Sequence, residues 1–375
     1  NQAAVDFENA NPGVKVEVRK TPFAQYEQRL RMQLGASQAP DVARLVLGYG
    51  NAVTALALAD KGLLSRLDGQ PWVREIPPSA AFTTNVGDST YALPVESTAV
   101  GALYDASVLR AAGVEPPATF AEVLELCRAT TGDTVAYALG AQQGSEMPAF
   151  AGFALAASTV YAQDPDFGQQ RLDDTVTFAG SAWVDALDRF QRMHDGGCFG
   201  EDAVGTSQDA ASAAVAQGRA LFAIVPTVTL PLFQGANPQA RFAMAPFAGS
   251  DDASDLRVPA SPVAGLAVPS RAKQPRLAEA FLDFYAENRA RYNALDDSIP
   301  AMPTAGEPTR LPGWAAALAP YFDDDRTTVI ADAQWPNPEV RARYGTGLAQ
   351  LLLGDKSGRA VLESMDDAWT SAPPK

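Results

Sequence analysis

Valines at 14, 16 and 18 alternate with polar residues, the period of a half-buried strand, and predict one over 14–18. Thr21 and Pro22 then offer an N-cap and a proline at the first helical position. Tyr26, Leu30 and Leu34 recur at helical spacing until Gly35 stops the run. "DVARLVLG" reads as the next strand, "NAVTALALADKG" as a helix ending at Gly62, and "LLSRL" as a short extended piece.

The stretch "YALPVESTAVGALYD", residues 91–105, is extended, with a polar triplet, Glu96-Ser97-Thr98, between two apolar runs. "PPATFAEVLELCRATTG" opens with Thr119 and, three residues on, Glu122, a capping box whose side chains satisfy free amides at a helix start. A strand "VAYALG" follows, then a helix over 181–195 with Trp183, Leu187, Phe190 and Met193 on or near one face. "SQDAASAAVAQGRALFAIV" reads as helix, Gly218 stop and buried strand; "SPVAGLAVP" and "QPRLAEAFLDFYAEN" repeat strand and helix. Helical patterns over 340–353 and 358–369 close the chain. This alternation predicts an α/β protein with a largely parallel sheet under covering helices.

At 375 residues the chain is long for a single core, so two compact units are expected. An apolar share of 47% with 19% charged residues is that of an ordinary globular protein. The net charge of -15, from 29 basic and 44 acidic residues, works against nucleic-acid binding, which relies on Lys and Arg neutralising phosphates. No apolar run approaches the roughly 20 residues that span a bilayer. "NQAAVDFENANPG" has neither a basic nor an apolar leader region, as expected of numbering that starts after a removed signal. Cys127 and Cys198, the only cysteines, are too few for a metal cage; they are either free buried thiols or one disulfide.

Candidate chemistry is sparse. His194 is the sole histidine and falls near a helix C-terminus, where its ring suits the dipole, so no Ser-His-Asp or Cys-His set is available without it. No HExxH, P-loop or dinucleotide fingerprint occurs. Carboxylate pairs of the glycosidase kind need no histidine, but "DDASD" and "FDDDR" lie among turn residues and lack calcium-loop spacing. No catalytic residue, metal or cofactor is assigned.

Several segments, in order, resemble the extracellular solute-binding protein family 1, the maltose-binding-protein-like receptors of sugar ABC transporters. They are "DFENANPGVKVEV", "GASQAPDVARL", the 91–105 stretch running on through "LYDASVLRAAGVEPPATFAEV", "VAQGRALFAIV", "SPVAGLAVPSRAKQPRLAEAFLDF" and "LLLGDKSGRAVLESMDDAW". The family's first strand has no counterpart here. The resemblance implies a two-lobed, periplasmic-binding-protein-like α/β fold of type II, with discontinuous lobes joined by a three-crossover hinge. The lobes are expected over 1–95 with 255–303 and over 96–254 with 304–375, with the ligand cleft between them. Crossovers are expected near Pro94–Gly101, Gly249–Pro259 and Pro300–Gly306.

On that reading Glu96, Ser97 and Thr98 face a polar ligand. Sugar sites pair aromatic faces with carboxylates and amides. Tyr49 and Asn51 supply one of each, Asn51 being otherwise an N-cap. The family's cleft-facing aromatic segment carries over to Met147 and Phe150, Phe150 being otherwise core. The "SPVAG" match points to Ala264 and Gly265. Thr227 or Val228 stands where many relatives have an indole, and Arg341 where sugar-binding relatives have a stacking Trp. An arginine can stack, or its fork can hold phosphate or carboxylate; otherwise it is a surface helix residue. The expected function is capture of a carbohydrate outside the membrane and delivery to an ABC permease, by a monomer that is periplasmic or lipid-anchored. The rival readings are a receptor for a glycerophosphodiester or other anionic polyol, a peptide or metal-chelate receptor, and a carbohydrate-active enzyme with paired carboxylates.

Overall fold

The computed structural model describes residues 2–21, 23–35, 38–49, 53–302 and 311–371. Ten strands occur among them: β1 (Ala43–Val46), β2 (Asn85–Val86), β3 (Ser89–Thr90), β4 (Leu93–Asp105), β5 (Val135–Tyr137), β6 (Ala220–Pro226), β7 (Phe242–Ala245), β8 (Val258–Ala267), β9 (Ile299–Pro300) and β10 (Thr327–Thr328). The chain divides into two compact units, Asn1–Ser97 with Ser261–Arg310 and Thr98–Ala260 with Leu311–Lys375. Both longest strands carry a boundary: β4 passes from the first unit to the second after Ser97, and β8 returns after Ala260. The third boundary, and with it much of the expected crossover near Pro300–Gly306, lies outside the described residues.

In the first unit β1 pairs antiparallel with β8, Leu45 opposite Gly265 and Val46 opposite Ala264, and β9 pairs antiparallel with Glu96 and Ser97 of β4. Two aliphatic clusters fill it. Leu30, Leu34, Leu45, Leu47 and Leu58 form one, and Trp72, Leu93, Leu266, Leu282 and Met302 form the other. The helix Pro275–Glu287 contributes Ala278, Leu282 and Ala286, the buried stripe that its 3.6-residue spacing predicts.

In the second unit β6 and β7 both run antiparallel to β4, β5 runs parallel to β6, and β10 parallel to the start of β8. The capping box forms with a variation. Thr119 accepts from the Glu122 amide at 3.2 Å, while the Glu122 carboxylate takes the Ala118 amide at 2.7 Å instead of that of the cap residue itself. Cys127 and Cys198 are joined in a disulfide, both buried, tying the helix Phe120–Ala129 to the end of the helix Trp183–Asp195.

Two expectations are corrected. Residues 14–20 form no strand, and Val18 is half exposed. Alternation supplies the side-chain pattern of a strand, but a ladder needs a neighbouring backbone, and the Val16 amide goes to the Glu8 carboxylate at 2.7 Å. The sheet pairing is mixed, with antiparallel pairs predominating among the described strands, instead of largely parallel. A strand that enters from another unit is not bound by the βαβ connection that keeps neighbours parallel, and β4 and β8 are such strands.

Candidate ligand-binding site

The second unit holds the most developed polar constellation. Arg341, on the helix Pro338–Leu352, donates from Nε to Asp332 at 2.8 Å and from Nη2 to Glu146, and its guanidinium carbon lies 5.4 Å from the centre of the Phe153 ring. Its side chain is only 15% exposed, so the bland reading of a surface helix residue does not hold. Burial pushes the Asp332 carboxyl up to about 7, against backbone amides at 332 and 333 that favour the carboxylate, and pulls the Arg341 guanidinium down to about 10. With all three groups ionised, two carboxylates outweigh one guanidinium.

Glu146 directly precedes the helix Met147–Ala156, which Pro148 opens. Met147 is buried within it, and Phe150 is half-buried, edge-on to Phe153 at 6.2 Å. Phe153 in turn stacks on Tyr344 at 5.3 Å. The structure thus brings Arg341, Phe150 and their neighbours together on unit-two elements. Sequence reasoning missed Glu146, Asp332 and Phe153. Glu146 and Phe153 stood inside the quoted "GSEMPAFAGF" segment, so their position beside Met147 and Phe150 was the available signal.

Thr98 and Thr227 also meet. Their hydroxyl oxygens lie 3.0 Å apart, and the Thr227 hydroxyl accepts from the Ala99 amide at 3.1 Å, all buried. That bonding commits both hydroxyls to the packing of β4 against the end of β6. Side chains alternate along a strand, so Glu96 and Thr98 share one face of β4 and Ser97 takes the other; the triplet does not present a single polar surface.

In the first unit Glu96 pairs with Arg44 of β1, and burial raises its carboxyl above the usual range, with Arg44 opposing and Asp296 adding to the rise. Tyr49 donates to Asp60 at 3.2 Å. Asn51 lies outside the described residues. Ala264 and Gly265 sit inside the sheet opposite Val46 and Leu45. A Cβ at 265 would lie 2.6 Å from Leu47 Cδ2 and 2.9 Å from the Leu93 carbonyl, so close packing inside the unit accounts for this glycine without a ligand.

Among the described residues no three His, Cys, Asp or Glu side chains are grouped to hold a metal, and no helix is long and apolar enough to cross a membrane.

A two-lobed α/β build with an aromatic and charged constellation defines a solute receptor of the periplasmic-binding-protein class. Residues 1–292 match the family described as bacterial extracellular solute-binding protein, and the chain belongs to it. Solved structures agree in fold. A family 1 extracellular solute-binding protein from Bifidobacterium longum subsp. infantis has a TM-score of 0.77 at 19% identity over 99% of this chain and 95% of that one. A chitin oligosaccharide binding protein gives 0.77 at 16% identity over 99% and 93%. The solute-binding protein RafE in complex with raffinose gives 0.73 at 17% identity over 98% and 94%; RafE in its apo form is described from Streptococcus pneumoniae. No curated protein matches the sequence at a significant level.

Proposed function

We propose that this chain captures a neutral carbohydrate outside the membrane and hands it unchanged to an ABC permease. The family match over residues 1–292 carries this reading, and the saccharide ligands named for structural neighbours support it. Lobe closure on the ligand, action as a monomer, and residence in a periplasm or on a lipid anchor belong to the same proposal. The buried disulfide fits an oxidising compartment.

The anionic-polyol rival depends on a guanidinium free to receive phosphate. Arg341 is bonded by both Glu146 and Asp332, so its guanidinium donors are already committed to carboxyl groups that an entering phosphate would have to displace. Catalysis is not part of the reading: the family binds solutes, and a receptor returns its ligand intact.

The test is calorimetry of the purified chain against neutral oligosaccharides and glycerophosphodiesters, with mass spectrometry of whatever co-purifies. A saccharide should bind with a dissociation constant on the order of 1 μM, about 8 kcal/mol, and be recovered uncleaved. Binding confined to the phosphodiesters, or cleavage of the saccharide, would replace this proposal with one of its rivals.

A further inference from the structure

Arg341 is one cation shared by two carboxyl groups in unlike settings, all within the second unit. Asp332, on the short turn Ala331–Gln334, accepts from Nε at 2.8 Å and is 24% exposed, whereas Glu146, which accepts from Nη2, is 54% exposed. The Phe153 ring lies 5.4 Å from the guanidinium carbon. Ring and Asp332 together fix the planar fork, and Glu146 is left as its solvent-facing partner. Glu146 makes no other side-chain bond among the described residues.

Two tyrosines also face Asp332. Tyr344, from the same helix as Arg341, and Tyr161, from the π-helical turn Ala157–Tyr161, both lie close enough to feel its charge, with Asp164 beyond Tyr161. Burial drives both phenols far above their ordinary range, and Arg341 keeps its charge up to about 10. Among Asp332, Arg341 and the two phenols, Asp332 alone changes charge around pH 7.

That change reaches Glu146 through the guanidinium. A protonated Asp332 leaves the cation to Glu146, and the pair is neutral. An ionised Asp332 draws on the same delocalised charge, and the triad carries one excess negative charge. Glu146 then keeps more of its charge for a further donor, and a hydroxyl bonded to it is held more strongly.

We infer that Asp332 is a positioning residue for solute capture: acting through Arg341, it governs how much negative charge Glu146 offers to a bound hydroxyl, so that a neutral saccharide is held more tightly when Asp332 is ionised than when it carries a proton. The inference rests on the saccharide reading proposed above. Linkage makes the effect reciprocal, so a saccharide that favours the ionised form drives the proton off Asp332 as it binds.

The test is calorimetry of the intact chain against a panel of neutral tri- and tetrasaccharides, in pairs of buffers with unlike ionisation heats, which reads affinity and proton release together. From about pH 5.5 to about pH 8.5 the parent's affinity should rise about fivefold, the low end of typical coupling, with proton release largest near neutrality. Asp332→Asn keeps an acceptor for Arg341 Nε but no charge, so it should bind at the parent's low-pH level throughout and release no proton. A pH profile that survives the substitution, whether at the parent's affinities or uniformly below them, would give Asp332 a structural role only and overturn the inference. Should the variant not fold, the parent decides: an affinity flat across the range with no proton released overturns the inference by itself. The receptor reading then stands, whereas a parent that bound no saccharide at any pH would sink both.

Discussion

The two units are built from different materials. The first is packed from leucine, alanine and valine in two clusters, with Trp72 as the one tryptophan among them. Its ring contacts among the described residues form two small separate groups, Phe7 against Phe281 and Phe284, and Tyr285 against Tyr292. The second is organised round a continuous aromatic network in which Trp183 touches Tyr161, Phe167, Phe178, Trp335 and Tyr344. Charge reinforces it. Asp366 takes the Phe178 and Ala179 amides at 2.8 and 3.0 Å, and Arg171, almost wholly buried, lies 4.4 Å over the Trp369 ring. Aromatic side chains bury the largest areas and add about 0.5–1.5 kcal/mol per well-placed pair, so the second unit should be the harder to unfold.

The disulfide is the strongest lever on that difference. It closes a loop of sequence separation 71, for which the chain-entropy account gives about 4 kcal/mol. Replacing Cys127 and Cys198 together by alanine should lower the upper of two calorimetric transitions and leave the lower one in place. If the lower transition were the one to move, the ranking of the units would be reversed. A lone transition shifting as a whole would show that they melt as one body.

What the sequence made legible follows the range of the interaction. Periodicity located the helices Pro338–Leu352 and Gly358–Thr370, and the Thr119–Glu122 pair marked a helix start, because each signal lies within a few residues. Alternation at Val14, Val16 and Val18 misled for the same reason, since pairing depends on a backbone elsewhere. Arg341 drew notice by its identity, but Glu146, 195 positions away, left no local trace of the bond between them. Thr98 and Thr227 were each marked for a ligand, yet across a separation of 129 they satisfy one another. The two cysteines left free thiols and a bridge open, and only the placing of two helices decided between them.

Asp332 gives the second unit a pH dependence that its partner unit lacks at this position. Burial pushes its carboxyl up to about 7 from an ordinary 3.8, against backbone amides at 332 and 333 that favour the carboxylate; Arg341 and, on the same guanidinium, Glu146 face it. Between about pH 4 and pH 7 the folded state therefore holds a proton that the unfolded state has released. Stability must fall as pH rises through that window, by at most about 1.4 kcal/mol per pH unit, and level off above it. Chemical denaturation followed at several pH values should show this slope in the second unit's transition, and Asp332→Asn should flatten it. An unchanged slope in the variant would assign the proton to another group.

The finest contrast lies between two tyrosines. Tyr344, in the second unit, buries its hydroxyl without a hydrogen-bond partner among the described residues, close enough to Gly152 that a Cβ there would strike it, and burial drives its ionisation far above the ordinary range. Tyr292, in the first, donates to Asp6 at 3.2 Å. Removing an unsatisfied buried hydroxyl recovers its desolvation cost, whereas removing a bonded one forfeits a hydrogen bond to a charged group. Tyr344→Phe should thus be neutral or stabilising by about 0.5 kcal/mol, and Tyr292→Phe should destabilise by about 1 kcal/mol. Denaturant midpoints at constant slope measure both. A clear loss on Tyr344→Phe would mean that the hydroxyl has a partner, a trapped water being the simplest, and that the aromatic network is wetter than its packing implies.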